Sequence, residues 1–266
     1  MPLSYTKPYI SITDFAYRHQ ATAMLDVFRR AGGPALGRKL GVGVMMSHKT
    51  LHGLPSKWTG VFPKKETVGD IFLRDDDALN TLHYADYDHS HGFAGDLNYA
   101  HGFVRTTVDA CQLDMVWPDP AELGLYRSAH WDVPIILQVS AKALDAVDND
   151  RRKLVARLGE YAERDCIDYV LLDKSMGRGL GLDAAALLPF ARAISDSFPD
   201  IRLVAAGGLG PDSLHLVEPL VREFPDISID AQSKLRSSGN AMDPIGWNMA
   251  ADYLKRAVEL LAKYRT

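Results

Sequence analysis

Three short apolar stretches carry polar residues two positions apart near their ends: Gln112 and Asp114, Gln138 and Ser140, Asp230 and Gln232. A fourth sets Asp173 two positions after Leu171. Side chains on a strand alternate with a period of two, so each pair projects into one space. Carboxylates gathered there exchange protons when burial or a neighbouring charge brings their pKa toward neutrality. Asp114, Asp230 and His83 are the candidate bases on this pattern. A hydrogen-bonded polar layer is the alternative for any one pair. Four pairs on separate strands favour a reactive site.

Leu203-Val-Ala-Ala-Gly-Gly-Leu-Gly210 places Gly207 and Gly208 after an apolar strand and before an expected helix. Backbone N–H groups exposed at such a turn, next to a helix N-terminus, suit an anion such as phosphate, while a plain tight turn is the other reading. Ser233, Lys234, Arg236 and the 237–240 turn would add donors and positive charge, with solvated loop residues as the equal alternative. Lys49 lies in a long second loop with His48, Lys57 and Trp58, a stretch suited to covering the anionic or aromatic part of a ligand. Gln112 and Gln138 complete the expected ligand contacts.

Two further chemistries stay open on the residues. His83 to His91 concentrates imidazoles and carboxylates but matches no strict metal-ligand spacing, so no metal and no cofactor is expected. Lys49, Lys57 and Lys174 are the candidates for a Schiff base, and Lys174 faces away from the space Asp173 enters.

The elements that must position these residues alternate strand and helix. Strands are predicted at 9–13, 40–47, 81–86, 110–116, 134–140, 168–174, 202–207 and 227–233. Helices are predicted at 19–30, near 68–73, and at 96–109, 119–129, 149–164, 183–198, 212–224 and 244–264, with Asp183 and Asp212 as N-caps. Eight such units point to an α/β fold, a single (β/α)8 barrel over 1–266, whose chemistry sits at the C-terminal strand ends. A doubly wound open sheet is the runner-up, and the first strand-to-helix turn lacks its GxGxxG signature.

Asp168-Tyr-Val-Leu-Leu-Asp-Lys-Ser175, Gly177-Arg-Gly-Leu-Gly-Leu-Asp183 and Ala205-Ala-Gly-Gly-Leu-Gly-Pro211 together resemble the second half of phosphoribosylanthranilate isomerase, as does their order. Gln112-Leu-Asp114 is similar to that family's fourth-strand "QLHG", and Tyr9-Ile-Ser-Ile-Thr13 more loosely to its first-strand "KICGIT". The resemblance implies an Amadori rearrangement of a phosphorylated ribosylamine with Asp173 as general acid. The family's cysteine base falls on Ile10 or Ser11, neither of which supplies a thiolate. Asp114 stands where the family has histidine, and Asp230-Ala-Gln-Ser-Lys-Leu-Arg236 departs from its "DxSSGxE". An isomerase of diverged reaction, a metal-dependent or Schiff-base lyase, and a non-catalytic phospholigand-binding protein are therefore the readings carried forward.

Composition narrows the partner. The 266 residues are 47% hydrophobic and 24% charged, with 30 basic against 34 acidic side chains and no long run of one sign. That balance argues against nucleic-acid and membrane partners and for a small phosphorylated or anionic metabolite in a cytoplasmic protein, the oligomeric state being open. Cys111 and Cys166 lie in or beside apolar runs and read as buried reduced thiols.

Overall fold

The computed structural model describes residues 6–87, 92–104, 107–115, 117–173 and 181–265. Its strands are β1 (Tyr9–Thr13), β2 (Lys39–Ser47), β3 (Ala78–Asp86), β4 (Ala110–Met115), β5 (Ile135–Ser140), β6 (Tyr169–Asp173), β7 (Arg202–Ala205) and β8 (Ser228–Ala231). They pair in parallel in chain order and close where β1 meets β8, with Ser11 opposite Asp230. This is the (β/α)8 barrel expected from the alternation.

The helices are α1 (Arg18–Ala31), α2 (His48–Leu51), α3 (Val68–Ile71), α4 (Phe93–Val104), α5 (Pro120–Ala129), α6 (Ala141–Ala146), α7 (Arg151–Ala162), α8 (Ala184–Ser197), α9 (Glu218–Glu223) and α10 (Trp247–Ala262). Asp183 caps α8 by accepting from the Ala186 N–H at 3.0 Å. Asp212 caps nothing. The segment after β7 makes a 3-10 turn at Leu214–Leu216 and becomes helical only at Glu218. Pro219 accounts for the late start, because it has no N–H to give a carbonyl one turn back and is tolerated only in a first turn. Two short helices were not expected, α2, capped by the Ser47 hydroxyl on the Thr50 N–H, and α6, capped in the same way by Ser140.

Alternation divides the side chains. Outward-facing Ile10, Val42, Leu82, Leu113, Leu137, Leu172 and Ile229 join the apolar faces of the helices in one large core. Inward-facing Tyr9, Leu79, Ala110, Ile136, Tyr169, Leu171, Val204 and Ala206 form a second cluster that fills the barrel. Both cysteines are buried and unpaired. The N-terminal rim is closed by buried polar pairs: Arg127 donates to Asp168 at 3.0 Å, and Asp168 accepts from the Ile135 N–H at 2.8 Å.

Glycines on β2 make room at the seam. A Cβ on Gly41 would lie 2.5 Å from the Ser11 Cβ, and one on Gly43 would lie 2.6 Å from the Thr13 hydroxyl. Gly41→Val is expected to cost about 1–3 kcal/mol by overpacking. Gly102→Ala, on the open face of α4 with nothing within 4 Å, is expected to be neutral or to stabilise by up to about 1 kcal/mol. Urea unfolding of the two variants checks the contrast.

Candidate active site at the barrel mouth

Because β2 to β8 deliver their last inward positions to one end, the C-terminal mouth holds a cavity of about 730 Å³. All eight residues of the four spaced pairs line it: Gln112, Asp114, Gln138, Ser140, Leu171, Asp173, Asp230 and Gln232. His83, Lys49, Gly207, Gly208 and Ser233 line it as well, as do His48, Lys57 and Trp58 of the second loop. Trp58 stacks on Phe62 with ring centroids 5.0 Å apart, and the Lys57 ammonium lies 5.1 Å from the Trp58 ring. Lys142 joins the rim from α6, 5.9 Å from the Tyr87 ring.

Asp230 sits at the seam. Its carboxylate accepts from the Thr13 hydroxyl at 3.1 Å and also from Ser11 and Gln112. Burial raises its pKa to about 6, with those hydrogen bonds acting in the opposite direction. Ser11, buried on β1, thus has its hydroxyl bonded to Asp230 behind the site.

His83 and Asp114 are neighbours, with Nε2 3.8 Å from the nearer carboxylate oxygen. That is too long for a hydrogen bond, and burial shifts both groups toward their neutral forms. The imidazole is lowered to about 4 and the Asp114 carboxyl is raised. Burial thus favours the neutral imidazole at His83, a weaker base than one titrating near neutrality, and its Nε2 lies 3.5 Å from the Gln112 amide nitrogen. Its Nδ1 is buried and makes no hydrogen bond among the described residues. Tyr87 donates a short hydrogen bond to Asp114. Asp173, partly exposed, accepts from Gln138 at 3.5 Å.

The C-terminal side of β8 differs from the phosphate site expected there. Lys234 does not line the cavity; its backbone and Cβ crowd Gly210. Arg236 is 2% exposed in its side chain and donates to Asp14 at 2.7 Å, to the Gln232 carbonyl and to the Asp243 carbonyl. Its charge is therefore committed inside the protein. Gly207 and Gly208 do form a turn in the left-handed region, with φ of 103° and 66°. No helix of useful length begins beside them, since α9 starts ten residues later and has six residues. What these glycines offer the cavity is the backbone turn alone.

Asp14 was not singled out in the sequence. It follows β1 with φ of 88°, which is costly for a residue with a side chain, and Gln232 (3.0 Å) and Arg236 (2.7 Å) hold its carboxylate. Burial pushes this carboxyl up while Arg236 pulls it down. Residues 88–91 and 174–180, with His89, His91, Lys174 and the glycine-rich stretch, lie outside the described residues.

No protein-family model matches the chain, and no curated protein matches it. Solved structures share the barrel. 3-Keto-L-gulonate-6-phosphate decarboxylase from Vibrio cholerae is 13% identical with a TM-score of 0.56, the match covering 97% of this chain and 99% of that one. Phosphonopyruvate hydrolase is 14% identical over 84% of this chain and 74% of its own, with a TM-score of 0.52. A Rubisco-like protein from Rhodopseudomonas palustris is 13% identical at a TM-score of 0.55; the match covers 99% of this chain and 66% of that longer one. These likenesses show the fold, and none singles out phosphoribosylanthranilate isomerase. Among the described residues no helix is long and apolar enough to cross a membrane.

The buried charges predict two stability effects. A folded-state pKa near 6 against the ordinary 3.8 means that the native protein binds more protons than the unfolded chain in that window, so Asp230 lowers stability as pH rises from about 4 to about 6. Asp230→Asn should remove a loss on the order of 3 kcal/mol, seen as a smaller difference between urea midpoints at pH 4 and pH 7 than in wild type. Arg236→Ala leaves Asp14 buried without its cation and should cost about 3–5 kcal/mol at pH 7, measured by the same titration.

Proposed function

We propose that the protein is an enzyme acting on a small phosphorylated or otherwise anionic metabolite in the mouth cavity, where it cleaves a carbon–carbon bond beside a carbonyl with Asp230 carrying the proton. The observation behind this reading is the Asp230 carboxyl, which lines the cavity, is hydrogen-bonded from Thr13, and has its pKa raised to about 6 by burial. A group with a pKa near the working pH populates both protonation states and is suited to general acid–base catalysis. The Lys49, Lys57 and Lys142 side chains on the rim attract the anionic end, with the Gly207–Gly208 backbone as a further contact.

In cleavage the electron pair of the breaking bond moves toward the carbonyl, giving an enolate and, from a β-keto acid, carbon dioxide. Asp230 in its acid form gives its proton to the enolate carbon, and its carboxylate regains one from water. Gln112, Gln138 and neutral His83 supply hydrogen-bond donors for the enolate oxygen without introducing a full positive charge. The name of the decarboxylase of the same fold contains a phosphorylated sugar acid, and that of the hydrolase contains a phosphonate. The decarboxylase supports a lyase-type reading over isomerisation, and both support an anionic substrate.

A second reading keeps the isomerase chemistry, and a specific observation favours it. Asp173 ends β6 inside the cavity as the resemblance implies, and Asp230 accepts from Ser11, one of the two residues on which the family's thiol falls. Asp173 is then the acid and Asp230 the base.

Assays of phosphorylated β-keto acids and of phosphoribosylanthranilate, the latter by loss of substrate fluorescence, separate the two. On the lyase reading kcat/KM falls as pH rises past about 6, because the acid form is needed, and Asp230→Asn lowers kcat by about 10²–10⁴-fold. On the isomerase reading activity rises through the same pH and Asp173→Asn is equally damaging. Saturable binding without turnover of either class would overturn the enzyme reading.

A further inference from the structure

Beside the mouth two imidazoles, one of them His48 of the cavity lining, converge on one carboxylate. His48 opens α2 and His52 follows its last residue, with the His52 N–H bonded to the His48 carbonyl at 3.0 Å. One helical turn therefore sets the two rings on the same face, with centroids 4.5 Å apart. Asp96 of α4 meets both: Oδ2 lies 2.8 Å from His48 Nδ1 and Oδ1 lies 2.9 Å from His52 Nε2. Buried Tyr84 on β3 directs its hydroxyl to Asp96 Oδ2 at 3.5 Å.

We infer that His48, His52 and Asp96 form a binding site for a borderline divalent transition-metal ion of the Zn²⁺ class, beside the cavity that His48 also lines. The three donor atoms lie within 4.8 Å of one another. Bonds of about 2.0–2.2 Å from a common centre require donors a little over 3 Å apart, so small side-chain rotations suffice. Two neutral nitrogens with one carboxylate select Zn²⁺, Co²⁺ or Ni²⁺ over Mg²⁺ or Ca²⁺, which take oxygen ligands. The spacing of four residues between imidazoles on one helical turn is the arrangement helices use to present two nitrogens to one ion. A hydroxyl bonded to the ligating carboxylate is the outer support such sites carry.

Among the described residues three protein ligands meet there, fewer than the four a tetrahedral ion takes, and His48 lines the cavity. An ion held there would lie next to that cavity. The inference departs from the sequence-based expectation of no metal. It does not depend on the proposed reaction, because its test reads binding alone.

The full chain, stripped with EDTA, is titrated with Zn²⁺ against a chromophoric chelator and separately with Co²⁺, followed by its visible absorption. One equivalent of each is expected, with Co²⁺ bands of a nitrogen and oxygen site. His52→Ala, at an exposed position, and Asp96→Asn should weaken binding by at least about tenfold. His19→Ala, on the exposed start of α1, should not. Circular dichroism melts certify that the variants are folded, and His52→Ala carries the test if Asp96→Asn fails to fold. Wild type that takes up no stoichiometric metal, or a folded His52→Ala that binds as wild type does, overturns the site.

Discussion

Closing eight parallel strands into a barrel leaves each side chain only two directions, and every functional feature of this protein depends on that restriction. Outward positions belong to the helices and are apolar almost throughout. Inward positions change character along the strand, from Tyr9, Ile136 and Tyr169 at the bottom to Asp114, Asp173 and Asp230 at the top. The closure between β1 and β8 is where the restriction is tightest. Thr13 and Ser11 reach Asp230 across it, and the glycines of β2 keep the neighbouring strand from occupying the same space.

Burial at the mouth acts in one direction on groups of opposite kind. It lowers His83 and raises Asp114 and Asp230, so that charge is disfavoured on acid and base alike. Asp14 and Arg236 resolve the same difficulty by pairing, 222 residues apart in sequence, and thereby fix the segment after β8 against the end of β1. The Arg236 cation belongs to the architecture, whereas Lys49, Lys57 and Lys142 line the cavity. A cavity with neutral donors at its floor and ammonium groups at its lip suits a small molecule with a polar reacting end and an anionic tail.

The barrel and the inward set of the site were legible because period-two alternation is a local property, and four independent strands repeated it. What the sequence left hidden depends on distant partners. Asp14 is one polar residue after a strand until Gln232 and Arg236 arrive from the other end of the chain. Arg236 read as an available cation for the same reason. The helix placed at Asp212 failed on a signal that was present, since Pro219 marks the first turn of α9. The His48 and His52 spacing was also present, but the four-residue helix that gives it meaning was hidden inside a long loop, and Asp96 comes from another element.

The central claim, that Asp230 is a buried carboxyl titrating near neutrality, is tested most directly by ¹³C NMR titration of aspartate-carboxyl-labelled protein, with its resonance assigned by its loss in Asp230→Asn. The account predicts a midpoint near 6. A midpoint at or below the ordinary aspartate range, about 4, would contradict it, because Asp230 would then be a fixed carboxylate and could not carry the proton.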